Sequence, residues 1–369
     1  MHRIFLLLAA LMLPAPSFAQ TPAEYLEKVT ALQNDARLKA ATDHIDKNRD
    51  SILREWIAIT EINAPSQHEQ ERARHIEALL RKYKLTEVRY DRTGNLIAVR
   101  KGTGSGPVIV FDAHLDTVFQ PGLKIKATVR DGRVYAPGVG DDTRNIEALL
   151  ATIRALDGGY EGFTYAGIGI NWYRHHFIGP GGHTRSRTPP YSATLPMSRA
   201  IARIYELTVP NNPSSNLNIG MLGGSEVVNA KAADAWFSVD LRSTSNEVIA
   251  DLEKQIAAIL DEEAKRFGMT VKTDVISSSP AAVLPGNRES HLVKMAEAVH
   301  RAMGFDPPIG NAGSNNSSAA LLQGISSIST GAGPCRDAHA LTENCEIEPL
   351  YRGIKKILLL EIALAGLAR

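Results

Sequence analysis

Histidine and aspartate residues at short spacing are the part of this sequence best suited to chemistry. His114-Leu115-Asp116-Thr117 follows the apolar run 108–111, and Gly140-Asp141-Asp142 comes later in the chain. Side chains alternate along a strand, so a strand ending here would project His114 and Asp116 to the same side. A carboxylate beside a histidine fixes the imidazole tautomer for metal binding. The pattern predicts a metal site to which the second acidic cluster supplies a bridging carboxylate.

Two cysteines flank a further histidine near the C-terminus. Cys335 and Cys345 lie on either side of His339. In an oxidising compartment they would form a disulfide that closes a short loop, which is worth roughly 2–3 kcal/mol. Two unpaired thiols fit the sequence equally well.

Length and composition indicate an ordinary globular protein of two domains. The chain has 369 residues, of which 44% are hydrophobic and 22% are charged. Its 41 basic and 40 acidic residues nearly cancel. The sequence therefore offers no basic field for nucleic acid, and no nucleic-acid partner is expected.

The N-terminus resembles a secretory signal. A short polar start, His2-Arg3, precedes an apolar run at 4–13 and the small-residue segment Ser17-Phe18-Ala19. The run is too short for a permanent membrane span. An uncleaved anchor or a buried helix is the alternative. We expect residues 1–19 to be a signal peptide and the protein to be exported, either to the periplasm or outside the cell.

The remaining pattern predicts a discontinuous α/β domain with an inserted α+β domain. Strands and helices in the order β-α-β-β-α-β, the ferredoxin-like motif, are expected within 165–277. The flanking segments, 20–164 and 278–369, should form the α/β sheet of the metal-binding domain. Thr21-Pro22 is typical of an N-cap followed by a proline in the first helical turn. Ser66-Gln67-His68-Glu69 is typical of a capping box that opens a helix. The glycine-rich segment 102–106 precedes a strand, so we interpret it as a turn and not as a phosphate cradle.

Taken together, six motifs resemble one known family, the zinc-dependent metallopeptidases of glutamate carboxypeptidase, peptidase T and aminoacylase type. The motifs cover about residues 45–369 and occur in the family's order: His114-Leu115-Asp116-Thr117, Gly140-Asp141-Asp142, Gly179-Pro180-Gly181-Gly182-His183, Asp240-Leu241-Arg242, Gly313-Ser314-Asn315-Asn316 and Ala338-His339-Ala340-Leu341-Thr342-Glu343. The resemblance implies a zinc-peptidase α/β sheet domain interrupted by a ferredoxin-like dimerisation domain.

The resemblance also implies a set of metal ligands. His114 would bind the first zinc, with Asp116 orienting it from behind, and Asp141 would bridge two zinc ions. His339 would bind the second zinc. Asp157 matches a terminal carboxylate ligand of the first zinc, although a helix end is the alternative reading of that residue. Nitrogen and oxygen donors of this kind suit zinc.

Three further residues match family positions that contact substrate. His183 would reach across a homodimer and hold the substrate carbonyl as it becomes an oxyanion. Arg242 and Asn229 would lie near the substrate carboxylate, for which a planar guanidinium is well shaped. An exposed strand arginine is the alternative for Arg242. His175 and His176 match no motif, and we expect them on a strand surface.

The sequence departs from the family in one segment. In the family, the helix after the bridging aspartate leads to a strand that ends in two adjacent glutamates, the general base and a ligand of the second zinc. Here Ala155-Leu156 runs directly into Asp157-Gly158-Gly159. Glu262-Glu263 falls on a helix of the inserted domain, and neither Glu147 nor Glu161 occupies the motif. We expect one zinc site to be retained and the second to be depleted.

These patterns predict an exported, homodimeric protein of the zinc peptidase type. The ancestral reaction is hydrolysis of an amide bond in a short peptide or an N-acyl amino acid, impaired here by loss of the glutamate pair. One alternative is a non-catalytic protein that binds metal or peptide. The other is the product of a shortened gene model.

Overall fold

The computed structural model describes residues 20–83, 85, 87–101, 108–155, 163–225, 227–305, 312–313 and 315–366. The predicted signal segment 1–19 lies outside these residues. Ten α-helices fall within the described ranges: α1 (Pro22–Gln33), α2 (Ala36–Lys47), α3 (Arg49–Glu61), α4 (Gln70–Lys82), α5 (Thr143–Ala155), α6 (Thr194–Tyr205), α7 (Asn246–Arg266), α8 (His291–Ala302), α9 (Ser317–Leu322) and α10 (Glu348–Ala365).

The strands are mostly short outside the inserted domain. Within the described ranges they are β1 (Glu87–Tyr90), β2 (Leu96–Val99), β3 (Thr128–Arg130), β4 (Arg133–Tyr135), β5 (Phe163–Thr164), β6 (Ala166–Gly167), β7 (Gly169–Ile178), β8 (Gly182–His183), β9 (Ser215–Asn218), β10 (Leu222–Gly224), β11 (Ala230–Lys231), β12 (Asp234–Ser243), β13 (Thr270–Ser279), β14 (Ala312–Gly313), β15 (Ser329–Thr330), β16 (Cys335–Arg336) and β17 (Asn344–Glu346).

The inserted domain is a five-stranded antiparallel sheet covered by two helices. Its strand order is β10-β12-β7-β13, and β9 also pairs with β12. Buried residues of the two long central strands, among them Phe177, Phe237 and Leu241, pack against Leu252 and Ile256 of α7. The long strands and two helices give the predicted α+β architecture. The exact boundaries 165–277 stay a prediction.

The sheet of the other domain is divided into short ladders. Strands β1 and β2 pair with each other, β5 pairs with β15, and β6 pairs in parallel with β14. A separate four-stranded sheet has the order β16-β17-β4-β3. Helices α3, α5 and α10 form the nearby core, in which Trp56, Leu350 and Ile354 are buried. This core supports the segment that begins α5.

The prediction of a strand at 108–111 is wrong for this structure. No strand ladder among the described residues includes 108–113. Val108 and Val110 are 90% and 79% exposed. Phe111, which follows them in the chain, packs against the core. An extended segment becomes a strand only when a neighbour accepts its hydrogen bonds. The described residues provide no such neighbour for this segment.

Two helix starts tested the capping rules with different results. Thr21 accepts the N–H of Glu24, whose carboxylate accepts the N–H of Thr21, so the proline-led start of α1 is confirmed. The capping box at Ser66 is wrong, because α4 begins only at Gln70 and the carboxylate of Glu69 instead accepts the N–H of Gln67. None of the helices in the described ranges is both long and apolar enough to cross a membrane.

Candidate metal centre

Asp141 links the two histidines that the sequence singled out. Its Oδ1 lies 2.9 Å from Nε2 of His114, and its Oδ2 lies 2.7 Å from Nε2 of His339. Each carboxylate oxygen therefore faces a different imidazole, as a carboxylate that bridges two metal ions would. The other ring nitrogen of His114, Nδ1, lies 3.1 Å from Oδ1 of Asp116. The structure thus brings together His114, Asp116, Asp141 and His339.

Buried polar contacts pin the segment 114–117 although it forms no strand. The side chain of Arg72 donates to the carbonyl oxygen of Leu115 at 2.7 Å, and the N–H of Thr117 donates to the carbonyl of Ala64 at 2.7 Å. The hydroxyl of Ser66 donates to the carboxylate of Asp116. These bonds fix the direction of the His114 and Asp116 side chains.

The turn before α5 is anchored from the helical core. Nε1 of Trp56 donates to the carbonyl of Val139 at 3.0 Å, and the hydroxyl of Thr143 donates to the carbonyl of Gly138 at 2.8 Å. Gly138 has a φ of 74° and lies against Thr117, where a Cβ would be 2.7 Å from the threonine methyl group. A glycine is needed at this position for both reasons.

Asp142 is a site residue that the sequence reasoning missed. It is 8% exposed, and its Oδ2 accepts the N–H of His114 at 3.1 Å. One ligand atom from each of His114, Asp141 and Asp142 lies within 4.8 Å of the other two, a grouping that could hold a metal ion. The available signal was the second aspartate of Gly140-Asp141-Asp142. The donor set of one imidazole and two carboxylates fits zinc.

Charge coupling in the site is strong. Burial acts to lower the pKa of His114, but the hydrogen bonds that its ring donates to the carboxylates of Asp116 and Asp141 outweigh burial and raise that pKa to about 11. The bond to His114 lowers the pKa of Asp116 to about 2 and also lowers the pKa of Asp141. Burial raises the pKa of Asp142 to about 7, although the nearby charge of His114 acts to lower it. A dication in this position would replace the imidazolium proton as the partner of these carboxylates.

Comparison with known proteins identifies the inserted domain and the fold. Residues 165–268 match the family model described as peptidase dimerisation domain. The chain is similar to the tripeptidase of Staphylococcus aureus, with a TM-score of 0.70 and 19% identity over 87% of this chain and 99% of that one. The chain has the fold of this tripeptidase. The resemblance found in the motifs is confirmed at this level.

Two further structures support the same fold. Aminopeptidase PepT of Bacillus cereus ATCC 10987 gives a TM-score of 0.65 at 19% identity, covering 86% of this chain and 99% of that one. The dipeptidase Dug1p of Saccharomyces cerevisiae gives 0.71 at 12% identity, covering 90% and 99%. In sequence, 123 residues are 31% identical to the uncharacterised protein YqjE of Bacillus subtilis (strain 168). That stretch is 30% of this chain and spans 32% of the relative.

The three predicted substrate residues lie in the peptidase dimerisation domain. His183 on β8 pairs with Ala230 on β11, and the carbonyl of Asn229 accepts the N–H of Thr184 at 3.1 Å. His183 and Asn229 therefore belong to one small two-stranded unit. Arg242 on β12 forms an ion pair with Asp240 at 3.0 Å. Among the described residues no hydrogen bond joins these three to the His114 group.

The hydrogen bonding of His183 determines its tautomer. The backbone N–H of Arg185 donates to Nδ1 of His183 at 3.1 Å. Nδ1 must then be unprotonated, so a neutral ring carries its proton on Nε2. Nε2 is therefore the ring nitrogen of His183 that can donate a hydrogen bond.

The described glutamates that the sequence raised for a catalytic role form ion pairs with arginines. Glu263 is buried and pairs with Arg199 at 2.8 Å, while Glu262 pairs with Arg203 at 2.8 Å. Glu147 is fully buried against Arg154. Asp157 and Glu161 lie outside the described residues. Asn316 donates to Asp112 at 2.6 Å.

His175 is more buried than the sequence predicted. His175, expected on the strand surface, is only 5% exposed, so that expectation is wrong. It faces the helix-covered side of the sheet, where Phe177 is also buried.

The cysteines are joined as the disulfide Cys335–Cys345. This settles the alternative that the sequence left open.

Proposed function

We propose that this protein is a zinc-binding member of the peptidase type whose amide-hydrolysing activity is impaired. The observation that carries the proposal is the position of Asp141 between Nε2 of His114 and Nε2 of His339. The donor set His114, Asp141 and Asp142 would hold one zinc ion, with Asp157 as a further candidate ligand. A second zinc would retain only Asp141 and His339.

The residues present account for part of a hydrolytic mechanism. A bound zinc ion would polarise a substrate carbonyl and lower the pKa of water near it. Asp116 holds the His114 ring through Nδ1, so that Nε2 faces Asp141. His183 would donate from Nε2 to the substrate oxygen as negative charge develops there. Arg242 and Asn229 would contact the substrate carboxylate.

The missing function is proton transfer. No pair of adjacent glutamates lies between α5 and the inserted domain, and Glu262 and Glu263 form ion pairs with arginines. A positioned general base contributes about 10²–10⁴-fold to the rate, so turnover should fall by that order. The substrate class we propose is short peptides or N-acyl amino acids. Similar folds named as a tripeptidase and a dipeptidase support peptides as the first choice.

We further propose that the working unit is an exported homodimer. The peptidase dimerisation domain at 165–268 supports pairing with a second copy, which would bring its His183 to the metal centre. The signal-like start and the disulfide support export. Mass spectrometry of protein from the native host should find a mature chain that begins at Gln20. A main species with intact Met1 would contradict export.

A non-catalytic role in binding metal or peptide is the second candidate. This candidate is favoured because Glu147, Glu262 and Glu263 all form ion pairs with arginines. A peptidase assay on dipeptides and N-acyl amino acids with added zinc separates the two. Weak hydrolysis that is lost on chelation and in His114→Ala supports an impaired enzyme. Metal binding with no hydrolysis above a chelated control supports the binding protein.

A further inference from the structure

Glu343 holds the backbone of the turn that carries Asp141. Glu343 is fully buried. One carboxylate oxygen, Oε2, accepts the N–H of Gly138 at 2.8 Å. The other, Oε1, accepts the N–H groups of Gly140 at 2.8 Å and Asp141 at 2.9 Å. A carboxylate that receives several backbone N–H groups makes strong, charge-assisted bonds. The peptide units on the N-terminal side of Asp141 are therefore fixed by one side chain.

The Cys335–Cys345 disulfide also packs against this turn. A Cβ added at Gly140 would lie 2.7 Å from Sγ of Cys335 and 2.8 Å from Sγ of Cys345. Both sulfurs therefore pack directly against the residue before Asp141. Any side chain larger than hydrogen at Gly140 would displace either the disulfide or the turn.

The loop closed by the disulfide also carries His339. Cys335 and Cys345 are register partners on β16 and β17, and Glu343 lies just before β17. Within the loop, Asp337 and His339 have φ values of 58° and 68°, in the left-handed region that residues with a Cβ seldom adopt. Such a conformation persists only where the surrounding structure holds it.

We propose that Glu343 is the positioning residue of the candidate metal centre, and that the Cys335–Cys345 disulfide fixes the loop from which it acts. Glu343 sets Asp141 through the backbone, and the closed loop sets His339, so the two ligands are delivered as one unit. The inference rests on the proposed function, because it treats Asp141 and His339 as metal ligands.

Use of Glu343 as a substitute general base would require a different arrangement. Its carboxylate would have to leave the three N–H donors of Gly138, Gly140 and Asp141. Those donors, which are buried or partly buried, would then lose their partners, which is costly. A positioning role keeps all three satisfied.

Hydrogen exchange of the metal-free, oxidised full chain tests the positioning role directly. We compare the wild type with Glu343→Ala, Glu343→Gln and a matched control, Glu346→Gln, which lies on β17 but pairs with Arg133. In Glu343→Ala the amides of Gly138, Gly140 and Asp141 should exchange at least about 10-fold faster, since they lose their acceptor. Amides of 170–178 in the other domain should be unchanged. Glu343→Gln should give a smaller increase, because one oxygen acceptor remains.

Zinc affinity, measured by competition with a chromophoric chelator, gives the second readout. Loss of a supporting carboxylate should weaken zinc binding by about 10–100-fold in Glu343→Ala and leave Glu346→Gln unaffected. If Glu343→Ala does not fold, Glu343→Gln and the double variant Cys335→Ser/Cys345→Ser should show the same pattern in weaker form.

The outcomes separate this inference from the proposed function. Unchanged exchange at Gly138, Gly140 and Asp141, or unchanged zinc affinity in a folded Glu343→Ala, would overturn the positioning role. If the wild type binds no zinc, the proposed function fails. Faster exchange in Glu343→Ala would still support the hold of Glu343 on the turn in that case.

Discussion

Asp141 and His339 are 198 positions apart in sequence, yet Oδ2 of the aspartate lies 2.7 Å from Nε2 of the histidine. The same aspartate faces His114 through its other oxygen. Each imidazole thus presents Nε2 to the shared carboxylate, and His114 presents Nδ1 to Asp116. This orientation of donors supports a metal centre more strongly than proximity alone would.

The exposed segment at 108–110 should behave as an unprotected apolar patch. Val108 and Val110 are 90% and 79% exposed. We expect Val108→Lys/Val110→Lys to lower binding of a hydrophobic dye and to slow aggregation, with stability changed by less than about 0.5 kcal/mol. Val129→Lys, at an exposed valine on β3, is the control and should leave dye binding unchanged. Equal dye binding in the double variant would mean that other residues cover this segment.

The disulfide should stabilise the metal-binding domain. Its cysteines are 10 positions apart, and closing a loop of that length is worth about 3 kcal/mol in the chain-entropy model. Cys335→Ser/Cys345→Ser should therefore unfold at lower denaturant, as should the reduced wild type. Reductant should not affect the double variant. Equal stability of the oxidised and reduced wild type would contradict this expectation.

His175 should make stability depend on pH. Burial, together with the charge of His176, lowers the pKa of His175 in the folded state to about 4, below the ordinary value of about 6.5. Between pH 4 and pH 6.5 the unfolded chain binds more protons than the folded chain. His175 therefore leaves the free energy of unfolding unchanged above pH 6.5 and lowers it as the pH falls from 6.5 towards 4. The loss amounts to roughly 2–3 kcal/mol.

Denaturant titrations at pH 7, 5.5 and 4.5 would measure this effect. Other groups also titrate, so the informative quantity is the difference in pH dependence between the wild type and His175→Gln. The variant should lose less stability than the wild type on acidification. His68→Gln, at an exposed position, should match the wild type. Parallel pH profiles for the wild type and His175→Gln would show that burial of this ring has no such consequence.

Local patterns in the sequence predicted part of the fold and site. The proline-led start of α1 and the strands and helices of the inserted domain depend largely on near neighbours, and the structure has both. The position of Asp141 between two histidines followed from the family resemblance. The role of Glu343 could not be predicted, because its bond to Gly138 spans 205 positions and depends on how two loops pack. The strand expected at 108–111 depended on a neighbour that sequence alone could not guarantee.

Activity should return when the missing base is supplied. We expect a homologous strand, Glu-Glu and helix segment inserted between Leu156 and Asp157 to raise hydrolysis of dipeptides by about 10²-fold or more. The matched control carries Gln-Gln in the same inserted segment and should stay near the level of the unmodified chain.

Vigorous hydrolysis by the unmodified chain, lost on chelation and in His339→Ala, would contradict the claim of a missing base. Glu161, four positions after Asp157, would then be the first residue to substitute.

The central claim is that His114 and Asp141 retain a zinc site although the glutamate pair is absent. Elemental analysis of purified, dialysed protein tests it most directly, with His114→Ala and the control His68→Ala measured in parallel. We predict about one tightly bound zinc per chain in the wild type and in the control, and none in His114→Ala, because coordination needs that imidazole. Two tightly bound zinc ions per chain, no zinc, or zinc retained in His114→Ala would contradict the account.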